Sequence, residues 1–142
     1  MLDKVARLCD NNNVKKGRLK MIYTGVFFEE NFNNKLDKKI QFPHVTNQFK
    51  PTEVDYSLFG QEVIFKVIGY GINEENEGYL VELVNATQEI KNAFANIENL
   101  HITISVSQTG KPVNTKNLDF KPIKPFYLKG RYGGYEKNKV IY

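Results

Sequence analysis

Apolar and β-branched residues in this chain gather in short runs separated by polar, turn-forming stretches, the pattern of strands rather than long helices. Ile22 to Phe28, a run of Tyr, Thr, Val and Phe, reads as a strand. Val63 to Tyr70 and Tyr79 to Val84 read as two more, separated by a turn at Asn73-Glu74-Glu75-Asn76-Glu77-Gly78. Gln41 to Thr46 and Leu100 to Ile104 are also strand-like, and Val140 to Tyr142 forms a short final strand. Two segments carry helical spacing instead. Thr87 to Ile97 places Ile90, Ala93, Phe94 and Ile97 on one face, with Thr87 as N-cap. Asn31 to Ile40 predicts a short polar helix with Leu36 and Ile40 at i, i+4. The first twenty residues differ from the rest. Leu2, Val5, Ala6 and Leu8 suit a short amphipathic helix, followed by Asn11-Asn12-Asn13 and the basic stretch Lys15-Lys16-Gly17-Arg18. They read as an appended helix and linker, or as a frayed tail.

These elements repeat weakly. Tyr23 opens a strand–helix–strand unit whose last strand carries His44. Tyr79 opens a second, of nearly the same length, whose last strand carries His101. Two such units about a pseudo-two-fold axis predict an α+β domain with two lobes and a central groove. At 142 residues the chain is one domain, 21–142, with 1–20 as an extension. The net charge of +4 favours an anionic partner but falls short of the dense basic patch of a duplex-DNA binder. The single cysteine, Cys9, excludes an intramolecular disulfide and a cysteine-rich zinc site, and points to the cytosol. No apolar run is long enough for a membrane span, and no signal-peptide core opens the chain.

The two histidines occupy the same His-x-Thr pattern, His44-Val45-Thr46 and His101-Ile102-Thr103. In a strand, residues two apart share a face, so each motif sets an imidazole beside a hydroxyl while Val45 and Ile102 turn to the core. Cleaving a phosphodiester needs a general base, a general acid and donors for the non-bridging oxygens. Two histidines supply the acid and base near neutral pH, and Thr46 and Thr103 supply hydroxyl donors. No His-Glu or His-Asp spacing offers a metal site, and no cofactor is called for.

Other residues are candidates for substrate contact. Tyr70, in Gly69-Tyr70-Gly71, and Tyr132 and Tyr135, in Gly130-Arg131-Tyr132-Gly133-Gly134-Tyr135, can stack on a base, and Arg131 can grip phosphate. The bland reading of the second cluster is a flexible surface loop. Tyr23 faces the groove or sits in the core.

The paired motifs resemble the two-histidine (2H) phosphoesterases, the superfamily of LigT-like RNA cyclic phosphodiesterases, over roughly Met21 to Tyr142. The resemblance implies a bilobal α+β fold, a metal-independent reaction and catalytic roles for His44, Thr46, His101 and Thr103. The compact length is also similar to viral members that cleave cyclic oligonucleotide immune signals, the anti-CBASS nucleases. Asn47 departs from the pattern, since members usually carry an apolar residue after the first Thr. The expected substrate is a cyclic oligonucleotide, or a 2′,3′-cyclic phosphate or 2′-5′ linkage of RNA. A nucleotide- or RNA-binding module without turnover is the alternative.

Overall fold

The computed structural model describes residues 21–142, so the expected N-terminal helix and linker, with Cys9, lie outside the described residues. Strand β4 (Glu62–Ile72) shows how the pattern becomes structure. Val63, Phe65 and Val67 are fully buried while Ile64, Lys66 and Ile68 are half-open, the period of two that one packed face demands. β4 turns into its antiparallel neighbour β5 (Asn76–Asn85) at Asn73, whose side-chain oxygen accepts the N–H groups of Glu75 and Asn76. Helix α1 (Gln88–Phe94) follows. Its N-cap is Thr87, as expected, with the hydroxyl accepting the Ile90 N–H. Ile90 and Phe94 point into the core. β6 (His101–Val106) then pairs antiparallel with β5.

The other half is built from β1 (Tyr23–Phe27) and β3 (His44–Phe49), also antiparallel. β7 (Lys121–Glu136) joins the halves. Its first part pairs with β4 and its last part with β1. Short β2 (Lys38–Lys39) lies against β6, and β8 (Lys139–Ile141) folds back on the end of β7. Among the described residues the result is one antiparallel sheet in the order β2-β6-β5-β4-β7-β1-β3, with β8 beside β7. With α1 and short 3₁₀ turns at Tyr56–Leu58 and Pro112–Asn117, the architecture is mostly sheet with little helix, an α+β type. The sheet curls. β3 and β6 share no strand pairing, yet they return to Cα separations within 8 Å of each other. One face of every main strand feeds a single core of Val26, Val45, Phe65, Val81, Ile102 and Leu128, closed by Ile90 and Phe94 of α1. Burial contributes about 1.5–3 kcal/mol for each such Val, Ile, Leu or Phe. No helix among the described residues is long and apolar enough to cross a membrane.

Two expectations fail. Asn31 to Ile40 forms no helix, so the first unit lacks the helix that the second possesses. Its backbone donors are claimed by the sheet beneath it. Lys35 N–H donates to a Glu77 carboxylate oxygen at 2.9 Å, Leu36 N–H to Ser105 Oγ at 3.2 Å, and Ile40 N–H to Ile104 O at 2.9 Å. A short, Asn-rich segment has little intrinsic helicity to set against those bonds. The second failure is the Gly- and Tyr-rich cluster after Lys129. It is no loop; it is the last part of β7, paired with β1 and, at its two ends, with β4 and β8.

Candidate active site

Both β3 and β6 begin on their histidine. Val45 and Ile102 are buried as expected, so His44 and Thr46, and likewise His101 and Thr103, face away from the core. A second correspondence accompanies the first. Thr46 lies opposite Gly25 and Thr103 opposite Gly78, each glycine beside a register shift in its strand. A Cβ on Gly25 would collide with the Val45 carbonyl oxygen, and one on Gly78 with that of Ile102. Each His-x-Thr strand is thus drawn against its neighbour at a point only glycine allows.

The imidazoles are held in the same way. His44 Nδ1 lies 2.8 Å from Phe42 O, and His101 Nδ1 lies 2.9 Å from Asn99 O, in each case the carbonyl two residues earlier. A carbonyl only accepts, so Nδ1 carries the proton in both rings. In the neutral ring Nε2 therefore keeps a lone pair, and in the charged ring it carries the proton to be given away. Positive φ at Asn99 bends the chain so that its carbonyl reaches His101.

Their surroundings differ. His44 is stacked by Tyr23, with ring centroids 4.3 Å apart, and tilted against Phe27 at 5.4 Å. Tyr135 stacks in turn on Tyr23 at 5.1 Å. This aromatic wall pushes the His44 pKa down to about 4, chiefly by desolvation; the bond to Phe42 opposes the shift and the nearby His101 adds to it. His101 also lies below the ordinary imidazole value. Desolvation is again the main cause, the Asn99 carbonyl opposes it, and Lys116 repels the charged form. The effect of His101 on His44 agrees with the return of β3 and β6 to within 8 Å of each other. The threonines differ too. Thr103 is buried, and its hydroxyl is engaged with Pro112 O at 3.2 Å and Thr115 Oγ1 at 2.8 Å. Thr46 is half-open.

Arg131 and Tyr135 lie on the His44 face of β7, since Arg131 pairs with Phe27 and Tyr135 with Tyr23. Arg131 also reaches Glu29 at 3.7 Å and lies over the Tyr142 ring at 4.1 Å. Tyr132 does not join them. One position along a strand changes face, so it enters the core beside α1, where its hydroxyl donates to Asn47 Oδ1 at 2.6 Å and lies 3.2 Å from Thr24 Oγ1. Tyr70 is engaged elsewhere. Its hydroxyl donates to buried Glu77 at 2.6 Å, beneath the segment that holds Lys35. Tyr23 proves to be a partner of His44, stacked on it and with its hydroxyl 3.4 Å from Nδ1.

Several residues carry no signal in the sequence. Lys116, near His101, is one exposed lysine among many. Asn47 finds its reason here, since it donates to Ala93 O at 2.8 Å and so ties β3 to the end of α1. Beside His44 opens a cavity of about 520 Å³ between Glu30, Gln41, Phe42, Pro43, Val140 and Tyr142. Neither histidine lines it; it adjoins His44 through Phe42 and Pro43. Among the described residues no three His, Cys, Asp or Glu side chains gather as a metal site. No protein-family model matches the chain, and no curated protein matches its sequence.

Proposed function

We propose that the protein is a metal-independent phosphodiesterase of the two-histidine type, acting on a nucleotide or oligonucleotide in the cytosol. The observation that carries this reading is the matched pair of imidazoles, each fixed through Nδ1 by the carbonyl two residues earlier and each left with a working Nε2. A purely binding protein has no need of two such rings. On this reading the sheet has two pseudo-symmetric halves, β4-β5-β6 and β7-β1-β3, the counterpart of two lobes about a groove.

His44, the more enclosed ring, is neutral and serves as base. Its Nε2 takes the proton from the attacking hydroxyl, either water or a ribose hydroxyl, as the new P–O bond forms. His101 Nε2 gives its proton to the leaving oxygen as the old P–O bond breaks. Solvent then returns both rings to their starting states. Thr46, Arg131 and Lys116 supply donors and positive charge to the non-bridging oxygens. The substrate is a cyclic oligonucleotide, or RNA carrying a cyclic phosphate or a 2′-5′ linkage.

The test is product formation in EDTA from a panel of cyclic dinucleotides, cyclic trinucleotides and cyclic-phosphate RNA ends. Turnover is expected with at least one. His44→Ala and His101→Ala should each lose about 10²–10⁴ in rate, the usual worth of a positioned acid or base. Full activity in either variant, or activity that EDTA abolishes, overturns the assignment. Tight binding without turnover identifies a nucleotide sponge instead.

A further inference from the structure

The cavity beside His44 has a composition that the acid–base chemistry does not explain. Phe28, Phe42, Pro43, Val140 and Tyr142 give it apolar walls, and its polar lining comprises the carboxylates of Glu29 and Glu30, the amides of Asn31 and Gln41, and the ammonium groups of Lys39 and Lys139. At about 520 Å³ it falls within the range that holds a small organic ligand. It is also coupled to the candidate site. The carbonyl of Phe42 fixes His44, while the Phe42 ring lines the cavity and packs on Tyr135 at 5.9 Å. Tyr142, on the opposite side, meets Phe27 edge-on at 6.5 Å, and Phe27 touches the His44 ring. A group bound here is held by the residues that position the imidazole.

We propose that this cavity is a nucleobase site that takes a purine, with guanine preferred over adenine. The proposal rests on the phosphodiesterase reading only for its placement of the base next to the scissile phosphate. Aromatic walls accept the face of any base, and the larger purine covers more of them. The polar lining discriminates. A carboxylate such as Glu30 accepts two hydrogen bonds side by side from guanine, whose Watson–Crick edge presents a ring N–H next to an amino group. Adenine offers its amino group alone beside an unprotonated ring nitrogen. Uracil flanks its one ring N–H with carbonyl oxygens, which the carboxylate repels. The amide of Gln41 donates or accepts as the rest of the edge requires.

The test uses the full-length protein and titrates it, by calorimetry and amide NMR, with inorganic phosphate and with the monophosphates of guanosine, adenosine and uridine. Guanosine monophosphate is expected to bind tightest, by at least about fivefold over the uridine compound. Its amide shifts should extend over residues 29–31, 39–43 and 139–142, where phosphate alone leaves little trace. Glu30→Gln should erase the guanine preference, and Tyr142→Ala should weaken all three nucleotides by a similar factor. Equal affinities for the three nucleotides, or shifts confined to the surroundings of His44 and His101, overturn the base site while leaving the phosphodiesterase reading intact. Guanine-selective shifts in the cavity, with no turnover of any phosphodiester in the panel, uphold the base site and overturn that reading.

Discussion

Two histidines in matching His-x-Thr tripeptides do not become identical groups. Each is fixed by the same carbonyl contact, but Tyr23 and Phe27 enclose His44 while Lys116 stands near His101. Both pKa values are lowered, so the free protein should work best on the acid side of neutrality. The acid limb of kcat/KM should follow His44 near about 4, and activity should fall again above His101's lowered value, which lies below 6.5. A bound phosphodiester favours the imidazolium, so the alkaline limb of kcat should lie at higher pH than that of kcat/KM. Steady-state profiles of both parameters check this; an alkaline limb of kcat/KM above the ordinary imidazole range contradicts it. Tyr132 gives the opposite kind of prediction. With its hydroxyl inside the core, Tyr132→Phe should leave KM unchanged and cost about 1–3 kcal/mol of stability, because Asn47 loses its buried partner. A denaturant midpoint and a KM measurement separate this from a substrate contact. The sequence marks His44 and His101 plainly, because the chain's two histidines both stand in a His-x-Thr pattern in strand-like settings. It marks the tyrosines poorly, because the same side chain suits a groove, a core or a clamp on a neighbour.

The element that matters most is the strand pair, repeated twice. β1 with β3 and β5 with β6 each present a His-x-Thr motif opposite a glycine into which the motif's middle carbonyl is pressed. Ordinary reading sees Gly25 and Gly78 as breaks in a strand; only the pairing register shows that they set the approach of the His-x-Thr strands. Gly78→Ala should therefore push β6 away from β5. The Cβ meets Ile102 O and the Thr115 side chain, and overpacking of this kind costs about 1–3 kcal/mol. Activity measured well below the melting temperature should fall as well, since His101 moves with its strand. A variant that is destabilised yet keeps full kcat contradicts the positioning role. Elements with strong local signals, such as β4 and α1 with its Thr87 cap, match what the sequence predicts. The segment from Asn31 to Ile40 does not, because its N–H groups find Glu77, Ser105 and Ile104, partners distant in sequence.

At the scale of the whole molecule, curling of the sheet brings β3 and β6 together and encloses His44, and this has a thermodynamic consequence. The His44 pKa is about 4 in the native state and near 6.5 in the unfolded chain. Between those values the unfolded state binds more protons, so stability rises with pH across this window. It should be fully present above pH 6.5 and decline as pH falls towards 4. Denaturant midpoints across that interval should show the slope, and His44→Asn should flatten it. What the sequence determined by itself is local. Runs of apolar and β-branched residues specified most strands, helical spacing specified α1, and residue chemistry singled out two imidazoles with a hydroxyl two places on. The tertiary structure alone decided which tyrosines reach those rings, where the long β7 runs, and why the chain between β1 and β3 forms no helix. It also formed the cavity beside His44 from three separated segments. The reason is that period and propensity are properties of neighbours in the chain. Facing, enclosure and desolvation depend on which strands pair and in what register, and here the deciding partners are far apart in sequence.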